Sequence, residues 1–396
     1  MAEHAYLDHA ATSPMSAAVL EAYSAALLEV GNPASTHGHG QRALEALEAA
    51  RERIAMGLGC DAAELVLTGG GTESINLALK GAYWARQRGA HRPVLLVADG
   101  EHHATIEAAE WLRDTQGAEL VWLPLDADGA LQPEVLAAAI AQAGPERVAL
   151  VSFLWANNEI GTVLPVAELC AVAQAAGVPS HVDAVAALGQ LRIDFASSGA
   201  DYLSVSAHKI GGPVGAGALV VGRRAVLEPL FHGGSQQRGR SGTQDTAGAV
   251  AFAAALDEVL EPGMNAPRSA HIDHMRALRD RLIDGVRAID PSAVLRGAHD
   301  AAHRLPGNAH FTFPDCQGDS LVYLLDAVGV SASVGSACRA GVAETSHVLL
   351  ALGLPEAEAS GALRFTLGGQ SEGREIDALL AALPEALERA RAAGLS

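Results

Sequence analysis

The sequence predicts an α/β protein: a larger domain on a mostly parallel sheet, followed by a smaller α+β domain. Three observations carry that expectation. A chain of 396 residues that is 49% hydrophobic but only 4% aromatic, with 42 glycines, suits an Ala/Val/Leu-packed α/β enzyme of about two domains better than a β-sandwich. From about residue 60 to 222, short apolar runs alternate with alanine-rich helical stretches, as βα units do. At Glu261-Pro-Gly-Met-Asn265 the pattern breaks, which marks a boundary.

In order along the chain, helical periodicity covers about 16–30 and 37–59. Strand-like runs follow at 65–68, 94–98, 120–123, 148–153, 202–206 and 218–221, and a short strand ends in His181-Val-Asp183. Helices are expected at 105–115, 133–143, 166–176 and 246–260. Beyond the break come a helix through 276–289, apolar runs at 310–313 and 330–333, and a last helix from 375. The domains are therefore expected at 16–260 and at 261–396, with residues 1–15 joining the second.

Composition narrows the function. A formal net charge of −19 disfavours nucleic acid as a main partner, since no broad footprint for phosphates can form. No run of about 18 apolar residues occurs, and no basic-then-apolar signal opens the chain, so a cytoplasmic protein with no membrane association is expected. Cys60, Cys170, Cys316 and Cys338 have no metal-type spacing. Of these, Cys60 and Cys170 read as structural and Cys316 as a turn residue.

Only two of the 27 basic residues are lysines. Arginine replaces lysine at most solvated positions but cannot form an imine with an aldehyde, because its guanidinium stays protonated. Lys209, at the end of an apolar strand and before Gly211-Gly212, is thus a candidate for imine chemistry; alone, it reads equally as a solvated loop lysine. Lys80 reads as a cation at the C-terminal end of a helix over 74–80, before Gly81.

Leu67-Thr-Gly-Gly-Gly-Thr-Glu-Ser74 joins a strand to a helix, where free amides and Thr72 could hold a phosphate; an ordinary tight turn is the other reading. Asp183 could hold a protonated pyridine nitrogen, or close a strand-end turn. An imidazole of Glu101-His102-His103 could stack on a ring or move a proton. No third ligand has zinc spacing, so no metal is expected there or at His37 and His39. Taken together, the phosphate loop, the aspartate and the lysine describe a pyridoxal phosphate site.

Two further features point to the substrate. Cys338 sits in the glycine-rich run Ser333-Val-Gly-Ser-Ala-Cys338-Arg-Ala-Gly341, which has little apolar context to bury a thiol. Arg364, in a strand-like apolar run, needs an anionic partner. A substrate carboxylate and an internal salt bridge satisfy that need equally well.

At this point the chain resembles the pyridoxal-phosphate cysteine desulfurases of the NifS/IscS type in the class V aminotransferase superfamily. The resemblance runs nearly end to end. Its segments are Tyr6-Leu-Asp-His-Ala-Ala-Thr12, Gly31-Asn-Pro-Ala-Ser35, Gly71-Thr-Glu-Ser74, Glu101-His102 and Ala156-Asn-Asn-Glu-Ile-Gly161. His181-Val-Asp183, Ser206-Ala-His-Lys209, Arg240-Ser-Gly-Thr243, Gly335-Ser-Ala-Cys338 and Leu363-Arg-Phe365 complete it.

The resemblance implies a PLP-transferase fold of the aspartate aminotransferase type. It implies that Lys209 carries the cofactor as an imine, with Gly71, Thr72, Ser206 and His208 at its phosphate. It also implies His102 over the ring, Asp183 at the ring nitrogen, Asn158 near the phenolic oxygen and substrate, and Arg364 on the substrate carboxylate. Thr243 would reach the phosphate site of the neighbouring subunit in a homodimer. L-cysteine would become L-alanine while Cys338 takes the sulfur as a persulfide and passes it to an acceptor protein. The catalytic set is then Lys209, Cys338 and His102.

Cys338 stands 26 positions before Arg364, as in the long-loop members. One departure is Ala186, where the family usually has a glutamine bonded to the phenolic oxygen. A selenocysteine lyase or a related class V aminotransferase is the alternative reading. A non-catalytic scaffold, suggested only by Ala186, is disfavoured.

Overall fold

The computed structural model describes residues 4–335 and 345–392. A first short strand, β1 (Ala5–Tyr6), precedes the helices Ala17–Leu28 and Gly38–Leu58. The central sheet then follows as β2 (Leu65–Thr68), β3 (Val94–Ala98), β4 (Glu119–Leu123), β5 (Val148–Leu154), β6 (Ser180–Asp183), β7 (Tyr202–Ser206) and β8 (Gly217–Val221). Its order is β2-β8-β7-β6-β5-β3-β4, and only β8 runs against its neighbours. Every residue of β5 is buried, because a central parallel strand is covered on both faces. β4, at an edge, exposes part of its length.

Alternation along the strands feeds two cores. Leu65 and Leu67 of β2 join a cluster with Phe153, Leu203 and Phe252, whereas Val66 points to the opposite face, with Tyr83, Leu95 and Tyr202. Helices Gly71–Gln87 and His103–Gln116 cover that second face. A separate core forms where β9 (Val294–Leu295), β10 (Asn308–Thr312), β11 (Val330–Ser331) and β12 (Ala362–Thr366) meet helices Ser269–Ile289 and Gly373–Ala392; Phe311, Phe313 and Phe365 are its largest side chains. β1 pairs in parallel with β11, and Asp8 bridges Thr366, so the first residues of the chain are tied to this distant region.

The reading of Lys80 is corrected. Its helix does not stop at residue 80 but runs on to Gln87. Gly81 is a point of close approach: a Cβ there would sit 2.5 Å from the Glu228 carbonyl oxygen. Lys80 lies over the Trp111 ring, 4.4 Å from its centroid, as a cation–π pair.

Candidate active site

The parallel strands deliver their chemistry at their carboxyl ends, where ligands of open α/β sheets bind. Past β2 comes the glycine turn, past β3 His102, past β5 Asn158, at the end of β6 Asp183, at the end of β7 Ser206, and just past it His208 and Lys209. These side chains line one cavity of about 350 Å³, together with Gly71, Thr72, Ala186 and Arg364. A smaller cavity, about 100 Å³, is also lined by Lys209 and gathers none of the remaining candidates. Thr243 is exposed and does not line the larger cavity, and Cys338 lies outside the described residues. Ser333 and Gly335, on the chain leading to Cys338, do line it.

Lys209 sits in a single 3-10 turn, Ala207–Ile210, that closes β7. Its Nζ donates to the carbonyl oxygens of Ala10 at 2.5 Å and Ala11 at 3.1 Å. Burial and the Arg364 cation push its pKa down to about 8, against the opposing pull of Asp183 and Asp8. About a tenth of the amine is therefore neutral near pH 7, and a neutral amine is what an aldehyde needs.

Asp183 is 2% exposed and accepts the Val185 amide through Oδ1 at 2.9 Å. Burial raises its pKa to about 6, with Val185 and Lys209 limiting the rise. His102 caps the helix His103–Gln116: its Nδ1 accepts the Ala104 amide at 3.1 Å. Burial, then Lys209, lowers its pKa to about 4, so the ring is neutral and its proton rests on Nε2. His208 is likewise lowered to about 4 by burial and Lys209.

At the other end of the cavity, the helix Gly71–Gln87 starts without a side-chain cap. Its first amides are free to meet an anion. Gly71 is required there, since a Cβ would lie 2.8 Å from Val185 Cγ2. Ser206 Oγ is buried with no hydrogen-bond partner among the described residues. An uncapped helix start beside an orphaned buried hydroxyl fits a phosphate ester. Glu73 braces the turn by accepting the Gly69 amide at 2.6 Å and Arg240 Nε at 2.6 Å.

Arg364 is 4% exposed in β12. Its Nη2 donates to Asp8 Oδ1 at 2.8 Å and its Nη1 to the Asn158 carbonyl oxygen at 2.9 Å, while Nε has no partner among the described residues. The internal salt bridge is thus present, and the guanidinium still faces the cavity. Asn157 explains why Asn158 is the asparagine at the cavity: its side chain is occupied by Gly100, Glu159 and Ile160.

Sequence reasoning assigned no role to Asp8, Ala10 or Ala11, although they lie in a quoted motif. Their partners are roughly 200 and 356 positions away, and no local pattern reports such pairing.

Residues 5–379 match the aminotransferase class-V family. The chain belongs to the class-V aminotransferase family. Among its class-V relatives, an IscS-like cysteine desulfurase of Mycobacterium tuberculosis is 48% identical over 394 residues, covering 99% of this chain and 98% of that protein. A cysteine desulfurase IscS of Clostridium botulinum is 37% identical, over 99% of this chain and 96% of that protein. A solved NifS-like protein superposes with a TM-score of 0.87 at 32% identity, covering 98% of this chain and all of that one. The structure of SspA in complex with cysteine gives a TM-score of 0.77 at 31% identity, over 93% of this class-V chain and 99% of that chain.

Proposed function

We propose that this class-V protein is a cysteine desulfurase that uses pyridoxal 5′-phosphate to convert L-cysteine to L-alanine. The observation that carries the reading is the convergence of Lys209, Asp183, His102 and Arg364 on one cavity, which is also lined by Ser333 and Gly335, shortly before Cys338 in the sequence. When bound, the cofactor supplies an aldehyde that condenses with amines and a ring that accepts electron density from bonds at the amino acid's Cα. The uncapped helix start at Gly71 and Thr72, with Ser206 and His208, would hold its phosphate, and Asp183 would hold its ring nitrogen.

The chain's own residues then divide the work. Lys209 Nζ would hold the cofactor's aldehyde and is a base of suitable pKa for the substrate Cα proton. His102, neutral with its proton on Nε2, would lie against the ring and can pass a proton without first losing a charge. Arg364 clamps the substrate carboxylate and Asn158 orients the substrate beside it. The Cys338 thiolate attacks the substrate sulfur. The Cβ–S bond breaks, its electron pair stays with carbon, and a proton completes the methyl group of alanine while the sulfur remains on Cys338 as a persulfide. No external oxidant or reductant is consumed in that step.

The persulfide would pass to an acceptor protein. Thr243, exposed and away from its own chain's cavity, would serve the phosphate site of the second subunit in a homodimer. Among the described residues, no helix is long and apolar enough to cross a membrane.

The test is incubation with L-cysteine and a thiol reductant, with alanine and sulfide measured together. Equal amounts of both, lost in Cys338→Ser, are expected. Alanine formation that survives Cys338→Ser contradicts the proposal.

A further inference from the structure

Glu101 has no part in the roles above, yet it is 1% exposed and neither carboxyl oxygen has a hydrogen-bond partner among the described residues. The Thr105 hydroxyl and the Leu154 backbone lie beside it and favour its charged form slightly, but neither is in hydrogen-bond geometry. Among the described residues, no cation acts on it. The one titratable side chain that does, among the described residues, is Asp183. Leu154 pairs with Asp183 in the β5–β6 register, so the two carboxyl groups flank the end of one strand. Of the histidines around it, His347 Nε2 donates to the Glu101 backbone oxygen at 2.7 Å, and His102 Nδ1 accepts the Ala104 amide.

Two carboxyl groups sharing a dry site do not both ionise. The one with better stabilisation takes the charge. Asp183 has the Val185 amide at 2.9 Å and the Lys209 cation in its favour; Glu101 has neither.

We propose that Glu101 is a positioning residue that stays a neutral carboxylic acid and leaves Asp183 as the single negative charge at the ring-nitrogen end of the cavity. The assignment of that end rests on the cofactor reading above. The directions of titration agree with the division: burial and then Asp183 push Glu101 well above the ordinary carboxyl range, while Asp183 rises only to about 6. A charged Glu101 would compete with Asp183 for the ring proton. A protonated one completes the wall without adding charge.

The test compares full-length wild type with Glu101→Gln, a neutral near-isostere. In cofactor-free protein a carboxyl raised in the folded state binds its proton more tightly than in the unfolded chain. Its stabilisation is complete below about pH 4.3 and is lost progressively as pH rises through the folded-state value. The melting temperature of Glu101→Gln should therefore gain on wild type progressively as pH rises above the ordinary carboxyl range. A difference that is constant or shrinks with pH overturns the proposal.

Infrared spectroscopy of the wild type gives an arm that needs no variant to fold. Glu101 should contribute a protonated-carboxyl band that persists above about pH 7, where Asp183 is ionised; absence of the band overturns the proposal. With pyridoxal phosphate bound, Glu101→Gln should keep the cofactor Kd and the absorbance titration of wild type within about threefold and about half a pH unit. Larger changes overturn it. The cofactor-free arms do not depend on the cofactor reading, whose own failure would appear as wild type that binds no pyridoxal phosphate.

Discussion

Arg364 Nη2 donates to Asp8 Oδ1 at 2.8 Å, joining β12 to the loop just after β1. The pair holds the guanidinium at the cavity wall while leaving Nε without a partner among the described residues. Removing a charged hydrogen-bonding group of this kind costs about 1.5–3 kcal/mol. Arg364→Ala should therefore lower kcat/KM for L-cysteine by about 10- to 150-fold, largely through KM. Arg364→Lys should recover little, because a point charge lacks the planar fork. Steady-state kinetics with L-cysteine check both.

Lys209 carries a pH prediction. Its pKa, lowered to about 8, makes the neutral amine scarce in acid and abundant above that value. The rate at which cofactor-free protein captures pyridoxal phosphate covalently should rise about 50-fold from pH 6 to pH 8 and then level off. Stopped-flow absorbance measures this directly. Lys209→Ala should bind the cofactor only noncovalently and show no turnover.

Ser206 separates binding from stability. Its buried Oγ has no partner among the described residues, so Ser206→Ala should leave the cofactor-free protein at least as thermally stable as wild type, with a gain of up to about 1 kcal/mol. Cofactor affinity should fall about tenfold, the worth of one hydrogen bond to a charged group. Equilibrium dialysis and thermal melts, run on the same preparation, distinguish the two effects.

Ala186 lines the cavity with a methyl group where a glutamine would offer a donor. Ala186→Gln should stabilise the negative phenolic oxygen of bound cofactor and move the midpoint of its absorbance titration down by up to about one pH unit. Turnover should rise with it. A spectrophotometric pH titration of both proteins decides the point.

These predictions rest on residues that differ in how far the sequence announces them. Lys209, Asp183 and the turn at Gly71 are legible because imine formation, a strand-end carboxylate and a helix start each restrict residue type. They also sit at strand ends that apolar runs mark well. The Asp8–Arg364 bridge and the Ala10 and Ala11 carbonyls that hold Lys209 are not legible, because they come from contacts between distant segments. Both readings of Arg364 survive folding, since the salt bridge and the cavity-facing guanidinium coexist. Gly81 misled for a physical reason: the glycine that looked like a helix terminator serves a close approach to Glu228 inside a continuing helix. Glu101 was read only as a neighbour of His102, because burial without partners is a property of the fold and not of the motif.

The central claim is that sulfur leaves L-cysteine for Cys338 within a site built around Lys209. A single turnover with L-cysteine and no reductant tests it most directly, by mass spectrometry of the Cys338 peptide alongside alanine measurement. One added sulfur on Cys338 for each alanine formed is the predicted result. Alanine produced while Cys338 stays unmodified would contradict the account.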